Sequence, residues 1–312
     1  MSLRVLQPGV LSLLQDSGRH GQHRLGMTTG GPLDFEAFHY CNRLLQNPGG
    51  STLVEISVGG LQLEACVDTW LCVTGATIPL SINGQARAQW EVHRIASGDS
   101  IQLGHATAGL RAYLGVAEGF SIAPSFGSTA TVMREHIGGL RGDRLLTGDT
   151  LPCAAVRDRK RLYLPPKDQP RYQNTATVRV IPGYQQHHFK RIEQRRFFGS
   201  TYRVTERCDR MGYQLEGAII RCDVEGILSE GICHGAIQIP PDGQPIVLLN
   251  DHQTIGGYPK IGTALSLDTA RMSQLVPGNT VHFAPITPHT ARKALQLAQR
   301  FTLQRPLLER KL

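Results

Sequence analysis

The sequence predicts a mainly β protein with a few helices, built as two β-barrel-like halves, and three observations predict it. Short apolar or alternating runs recur along the chain, several ended by Gly or Asn, as strands are. Turn formers are abundant, with 34 Gly and 18 Pro among 312 residues. One turn unit also appears in both halves: Ser97-Gly98-Asp99-Ser100-Ile101, Thr147-Gly148-Asp149-Thr150-Leu151 and Pro277-Gly278-Asn279-Thr280-Val281. Each is a Gly-Asp or Gly-Asn turn entering a strand. Such turns between short strands suit closed barrels, where closure removes the exposed sheet edge.

The opening run Val5-Leu6 is broken by Gln7, Pro8 and Gly9 and is followed by no small-residue cleavage site, so it does not read as a leader. Strands are expected at 61–65, 69–74 and 78–82 in the first half, and at 178–181 and 246–249 in the second. Two segments carry helical patterning. Leu33 to Leu45 places Phe35, Phe38, Cys41 and Leu44 or Leu45 on one face, and Thr290 to Phe301 is rich in Ala, Leu, Gln, Lys and Arg. Between the halves, the charged stretch with Pro165, Pro166 and Pro170 reads as a linker. The expected organisation is an N-terminal β-rich domain over 1–155, a linker over 156–177 and a C-terminal β-barrel domain with a final helix over 178–312.

Several functions are disfavoured. No apolar stretch reaches the roughly 18 residues of a membrane span, so a soluble protein is expected, and the scattered cysteines read as free thiols of a reducing cytoplasm. Seven cysteines are odd in number and form no C-x-x-C, and the twelve histidines form no metal-binding spacing, so neither disulfide framework nor metal is expected. The net charge of +8 is carried mostly by Arg. The basic runs Arg157–Arg161 and Lys190–Arg196 lack the interleaved aromatics of a nucleic-acid platform and read as a solvated linker and a surface face. Phosphate-loop, dinucleotide-turn and nucleophile-elbow motifs are absent, as is a biotin-attachment segment.

Three clusters carry candidate chemistry. In 243–262 an apolar strand runs into Asp251, Gln253, Thr254, Gly256, Gly257, Tyr258 and Lys260. This inventory can hold a small amide and its carboxylate, with the glycines admitting backbone amides to a ligand; an Asx-type loop with Tyr258 packed fits the same spacing equally well. Near the start, Asp16, Arg19, Asp34 and Asn42 surround Gly30-Gly31-Pro32, a helix entry that can bind an anion. The simpler account there has Asp34 countering the helix dipole and Arg19 pairing with Asp16 at the surface. In the third cluster Arg210 can clamp a carboxylate bidentately, or form an exposed ion pair of little value. A nucleophile reading of Cys233 beside His234 is set aside, since neighbours on a strand face opposite ways.

Taken together these segments resemble the family that includes the C component of 5-oxoprolinase, KipA, allophanate hydrolase subunit 2 and part of the carboxyltransferase domain of urea carboxylase. The marks run nearly the whole chain: Gln15-Asp16-Ser17-Gly18-Arg19, Gly31-Pro32-Leu33-Asp34, Asn42-Arg43-Leu44-Leu45, Glu55–Gly60, Ile137–Leu140, Asp209–Tyr213, Leu228–Ile232 and Gly235–Ile246 leading into Asp251–Lys260. Ile255 and Cys41 depart from the common pattern. The resemblance implies cyclophilin-like barrel character, a lactam substrate, and as partners the A component and the KipI-like B component of 5-oxoprolinase. The whole enzyme of that kind opens 5-oxo-L-proline to L-glutamate with ATP and Mg, no cofactor being covalently bound to this chain. Under it, Asp251, Gln253, Thr254 and Lys260 are the catalytic candidates, with Gly256, Gly257, Tyr258 and Arg210 binding substrate and Asp16, Arg19, Asp34 and Asn42 behind them. Two other functions fit the resemblance: a biotin-dependent carboxyltransferase with a urea-like acceptor, and a KipA-type regulator of a kinase inhibitor.

Overall fold

The computed structural model describes residues 1–310. The chain divides into two compact units, one formed by 1–20, 30–172 and the segment from 305 onward, the other by 21–29 and 173–304. The first contains β1 (Ser2–Pro8), β2 (Leu11–Gln15), α1 (Phe35–Leu44), β3 (Leu53–Ser57), β4 (Leu61–Ala65), β5 (Thr69–Thr77), β6 (Leu80–Ile82), β7 (Gln85–Arg87), β8 (Val92–Ile95), β9 (Ser100–Leu103), β10 (Ala108–Val116), β11 (Thr150–Pro152) and β12 (Leu162–Tyr163). These make a six-stranded sheet in the order β11-β1-β4-β9-β6-β7 and a five-stranded sheet in the order β2-β3-β10-β5-β8. One apolar core joins the two, with Leu3, Val5, Leu63 and Ile101 from the first sheet meeting Val54, Ile56, Leu71 and Leu114 from the second.

The two-residue period of a strand sorts β5 between two cores. Leu71 and Val73 enter the core between the sheets, while Trp70 and Cys72 turn to the other side and pack with Phe38, Tyr40 and Cys41 of α1. Phe35, expected on this buried face, is 53% exposed, and Ala37 and Tyr40 are buried in its stead. The helix starts where buried polar groups fix it: Leu33 N donates to Glu55 Oε2 at 2.9 Å and Asp34 N to the Tyr113 hydroxyl at 2.8 Å.

The second unit contains β13 (Thr175–Pro182), α2 (Arg191–Gly199), β14 (Thr201–Cys208), β15 (Gly212–Glu216), β16 (Glu230–Gly231), β17 (Ala236–Gln238), β18 (Ile246–Leu248), β19 (Ile255–Gly256), β20 (Lys260–Ala264), α3 (Ser266–Met272), β21 (Thr280–Pro285) and α4 (Pro288–Gln304). Seven strands close a barrel in the order β13-β20-β17-β18-β15-β14-β21, with β13 and β21 joined in parallel. β16 and β19 form a separate two-stranded ribbon. The last strand, β22 (Leu308–Glu309), belongs to the first unit, where it pairs with β12.

The chain is mainly β with a closed barrel, as its turn-rich sequence predicts, but it has four α-helices among the described residues and not two. α2 lies in the basic run expected to be a solvated face; it is held by only two buried side chains, Glu193 and Phe197, with Phe197 stacked on Phe283 at 4.4 Å. α3 is seven residues long, too short to show helical periodicity in the sequence. The segment expected as a linker carries β12, a short 3-10 turn at Pro166–Asp168 and the start of β13.

All three recurrent turns share one construction. Gly98, Gly148 and Gly278 have φ of +94°, +90° and +89°, a conformation glycine adopts without steric cost. The following Asp99, Asp149 and Asn279 each accept with their side chain from the backbone N–H three residues earlier, at 2.8, 2.7 and 3.1 Å. Each turn then enters β9, β11 or β21.

Candidate functional site

The polar loop after β18 begins with an ion pair. Arg210 Nε and Nη2 donate to the two oxygens of Asp251 at 2.8 and 2.9 Å, and both side chains are 7% exposed. Asp251 N also donates to Arg210 O at 2.9 Å. Arg210 does clamp a carboxylate bidentately, and that carboxylate is Asp251. The turn bearing Arg210 is itself fixed by Asp209 Oδ1, which accepts from Met211 N at 2.7 Å. This pair is buried, so the exposed-pair account of Arg210 does not hold.

Lys260, at the start of β20, sits at a different focus. Its ammonium pairs with Glu230 of β16, and the same Glu230 Oε1 accepts from the Tyr184 hydroxyl and from Gln185 Nε2, the latter at 2.9 Å. Gln185 is held by its other end, its Oε1 accepting from Lys260 N at 2.8 Å. Lys260 is 8% exposed as a residue, whereas the Glu230 side chain is 33% exposed. The Lys260 hydrogen bond, then that of Tyr184, lowers the Glu230 carboxyl below its ordinary range, and the hydrogen bond to Glu230 raises the Tyr184 phenol. These groups line a cavity of about 300 Å³, walled by Gly183–Gln185, by Glu230–Cys233 and by Lys260, Gly262 and Thr263.

The ribbon and the barrel wall meet beside this cavity. Gln238 of β17 lies opposite Lys260 in the strand register, so both side chains leave the wall on one face. Gln238 is 2% exposed and its Nε2 has no hydrogen-bond partner. Gly256 of the ribbon is required there by space and not by backbone conformation: a Cβ would stand 2.4 Å from Ile232 Cδ1 and 3.0 Å from Gln238 Nε2. Gly257 O accepts from Ile227 N at 2.8 Å, and Thr254 O from Ile232 N at 2.9 Å. Gln253 and Thr254 are partly exposed and Tyr258 is 43% exposed, so Tyr258 is not a packed side chain.

The candidates near the start of the chain lie in the first unit. Asp16 accepts from the Ser128 hydroxyl at 2.6 Å and from Thr129 N at 2.7 Å. Arg19, expected at the surface beside Asp16, is 1% exposed and donates instead to the Ser125 and Ala130 carbonyls at 3.0 and 3.1 Å. Asp34 caps α1 by accepting from Ala37 N at 3.0 Å and also accepts from the Tyr172 hydroxyl at 2.9 Å. Asn42, fully buried, donates to Ser51 O at 3.2 Å and accepts from Asn47 Nδ2 at 3.2 Å. All four hold backbone segments in place.

Of the groups around the cavity, Lys260 is a candidate from the sequence, and Glu230, Tyr184, Gln185 and Gln238 are not. Glu230 and Gln238 fall inside segments that carry the family resemblance, Leu228–Ile232 and Gly235–Ile246, and that is the signal by which they could be found. Cys233 opens on the cavity, and His234 turns inward to Thr269 at 2.9 Å. Burial, then the charge of His252, pushes the His234 imidazole down to about 4. Among the described residues no group of three or more His, Cys, Asp or Glu is placed to hold a metal ion, and no helix is long and apolar enough to cross a membrane.

Residues 25–285 match the family described as carboxyltransferase domain, subdomain A and B, and the chain belongs to that family. Within it, the chain is 34% identical over 302 residues to the C subunit of 5-oxoprolinase from Escherichia coli, covering 96% of each. It is 30% identical over 285 residues to the corresponding C subunit from Haemophilus influenzae, covering 90% of each. Among solved structures it superposes on Kluyveromyces lactis urea amidolyase with a TM-score of 0.91 at 25% identity, over 96% of this chain and 20% of that one. It is thus homologous both to the C subunit of 5-oxoprolinase and to the carboxyltransferase region of the urea enzymes.

Proposed function

We propose that the chain is one component of an ATP-dependent 5-oxoprolinase that works with an A component and a KipI-like B component in the cytoplasm to hydrolyse 5-oxo-L-proline to L-glutamate. The observation that carries this reading is the match to the C subunit of 5-oxoprolinase over 96% of both chains; the urea amidolyase is matched over 20% of its length. A lactam is stabilised by amide resonance, so its opening by water needs activation of the carbonyl. ATP with Mg supplies that activation to the assembly, and this chain carries no phosphate loop.

The contribution assigned to this chain is to bind and orient. Lys260 supplies positive charge, and Gln253, Thr254 and the Gly256-Gly257 backbone offer an amide, a hydroxyl and peptide groups that suit a lactam. Fixed dipoles of this kind contribute about a few kcal/mol to a transition state that develops charge on oxygen. Asp251 acts through Arg210 as a positioning residue for the loop. Tyr258, half exposed at the end of the loop, is assigned to the ligand side and not to the core.

The test is ATP-dependent conversion of 5-oxoproline to glutamate by this chain mixed with the A and B components, each omitted in turn. Glutamate formed only by the complete mixture is the expected result; a stable complex without turnover overturns the reading. A second reading, transfer of a carboxyl group from biotin to a urea-like acceptor, draws on the superposition with the urea enzyme. It predicts stimulation by a biotinylated carrier protein in the same assay.

A further inference from the structure

Three donors converge on one oxygen beside the cavity: Lys260 Nζ, the Tyr184 hydroxyl and Gln185 Nε2 all reach Glu230 Oε1. The donors and the acceptor have different standing. Lys260 is 8% exposed and Gln185 5% exposed, and Gln185 is tied by its other end to Lys260 N. Glu230, in contrast, belongs to a ribbon of two residues per strand, held to its partner strand at Glu230↔Gly256 and Gly231↔Ile255. A buried ammonium demands a counter-charge, but a partly exposed carboxylate on a short ribbon is the replaceable partner.

A second observation points the same way. Gln238 Nε2 is buried with no hydrogen-bond partner, on the face it shares with Lys260. Buried donors in folded proteins are nearly always satisfied, and this one lies next to a cavity from which an acceptor can reach it. The cavity of about 300 Å³ bounded by Lys260, Glu230 and Ile232 has room for a small molecule.

We infer that Lys260, Tyr184 and Gln185 form a preformed binding site for the carboxylate of a small ligand that also bears a carbonyl, and that Glu230 occupies this site in the empty protein and is displaced on binding. The inference rests on the lactam-binding reading for the identity of the ligand, since 5-oxoproline carries both groups; the site itself requires only a carboxylate. The Gln238 amide is then the donor for the ligand's carbonyl oxygen. Glu230 is therefore a built-in competitor: removing its charge strengthens ligand binding, the opposite of what loss of an ordinary binding residue does.

The experiment is calorimetric titration of the full chain and of its Glu230→Gln, Lys260→Met and Gln238→Leu variants. The probes are 5-oxoproline, acetate as a carboxylate without a lactam, and 2-pyrrolidinone as a lactam without a carboxylate. Glu230→Gln is expected to tighten 5-oxoproline and acetate about tenfold, one unit of charge competition near a part-buried ammonium, and to leave 2-pyrrolidinone unchanged. Lys260→Met is expected to abolish binding of both carboxylates. Gln238→Leu, which removes an unpaired buried donor, is expected to weaken 5-oxoproline and leave acetate unchanged, without loss of circular dichroism. If Glu230→Gln weakens the carboxylates or leaves them unchanged, the proposal is overturned. If it tightens acetate while the assembled enzyme makes no glutamate from 5-oxoproline, the carboxylate site stands and the oxoprolinase reading falls.

Discussion

Replacing Asp251 by leucine, with Arg210 left in place, leaves a guanidinium in a pocket where each side chain of the pair is 7% exposed and two hydrogen bonds of 2.8 and 2.9 Å have gone. Breaking a buried pair from one side costs about 3–5 kcal/mol, while exchanging both partners for apolar side chains of similar volume is roughly neutral or stabilising. Asp251→Leu is therefore expected to be severe and Arg210→Met/Asp251→Leu mild. With a urea dependence of about 2 kcal/mol per molar, the single variant moves the unfolding midpoint by roughly 2 M. The two tryptophans, Trp70 and Trp90, both lie in the first unit, so their fluorescence serves as a reference while far-UV circular dichroism reports the whole chain. The expected result is a dichroism transition displaced in the single variant and restored in the double. A single variant destabilised by less than about 1 kcal/mol, or a double as unstable as the single, refutes the reasoning about the pair. A double variant that is stable yet binds no ligand returns the Arg210–Asp251 pair, and not the loop it positions, to contact with substrate.

His234 is kept neutral by burial, with its value pushed down to about 4, so between there and the ordinary value of about 6.5 the unfolded chain binds the extra proton. Its contribution is present above the unfolded value and lost as pH falls, about 2 kcal/mol between roughly pH 7.5 and pH 5. Urea titrations at the two pH values check this, and His234→Gln is expected to reduce the difference by that amount, leaving the part due to His39 and His93, which burial also lowers. Gly256→Ala is expected to cost about 1–3 kcal/mol by overpacking against Ile232. Ile232→Ala in the same chain should recover part of that loss, read as hydrogen-exchange protection of the ribbon. Gly98→Ala, Gly148→Ala and Gly278→Ala meet no neighbour within 4 Å, so each should cost about 1–3 kcal/mol from backbone strain alone, and no second-site trimming should rescue them in thermal melts.

What the sequence shows and what it hides divide by range. The three Gly-Asp or Gly-Asn turns are legible because everything that builds them lies within four residues: the glycine with positive φ and the side chain returning to the N–H three residues back. α4, with seventeen residues, is long enough for its pattern to speak, and α3, with seven, is not. Arg19 is misplaced by its sequence for a related reason, since its partners are the carbonyls of Ser125 and Ala130, and a backbone acceptor leaves no mark in the residue types. In the candidate site the same limit splits one apparent cluster into two. Asp251 and Lys260 are nine positions apart and look like one inventory, yet Asp251 is paired 41 residues back with Arg210 and Lys260 30 residues back with Glu230. The register that sets Gln238 opposite Lys260 exists only once the barrel has closed. A polar-rich loop thus announces that something is built there, while the charge on each group available to a ligand is decided by strands that reach it from elsewhere in the chain. That is why Lys260, whose partner can be displaced, and not Asp251, whose partner is locked in by two hydrogen bonds, carries the binding proposal.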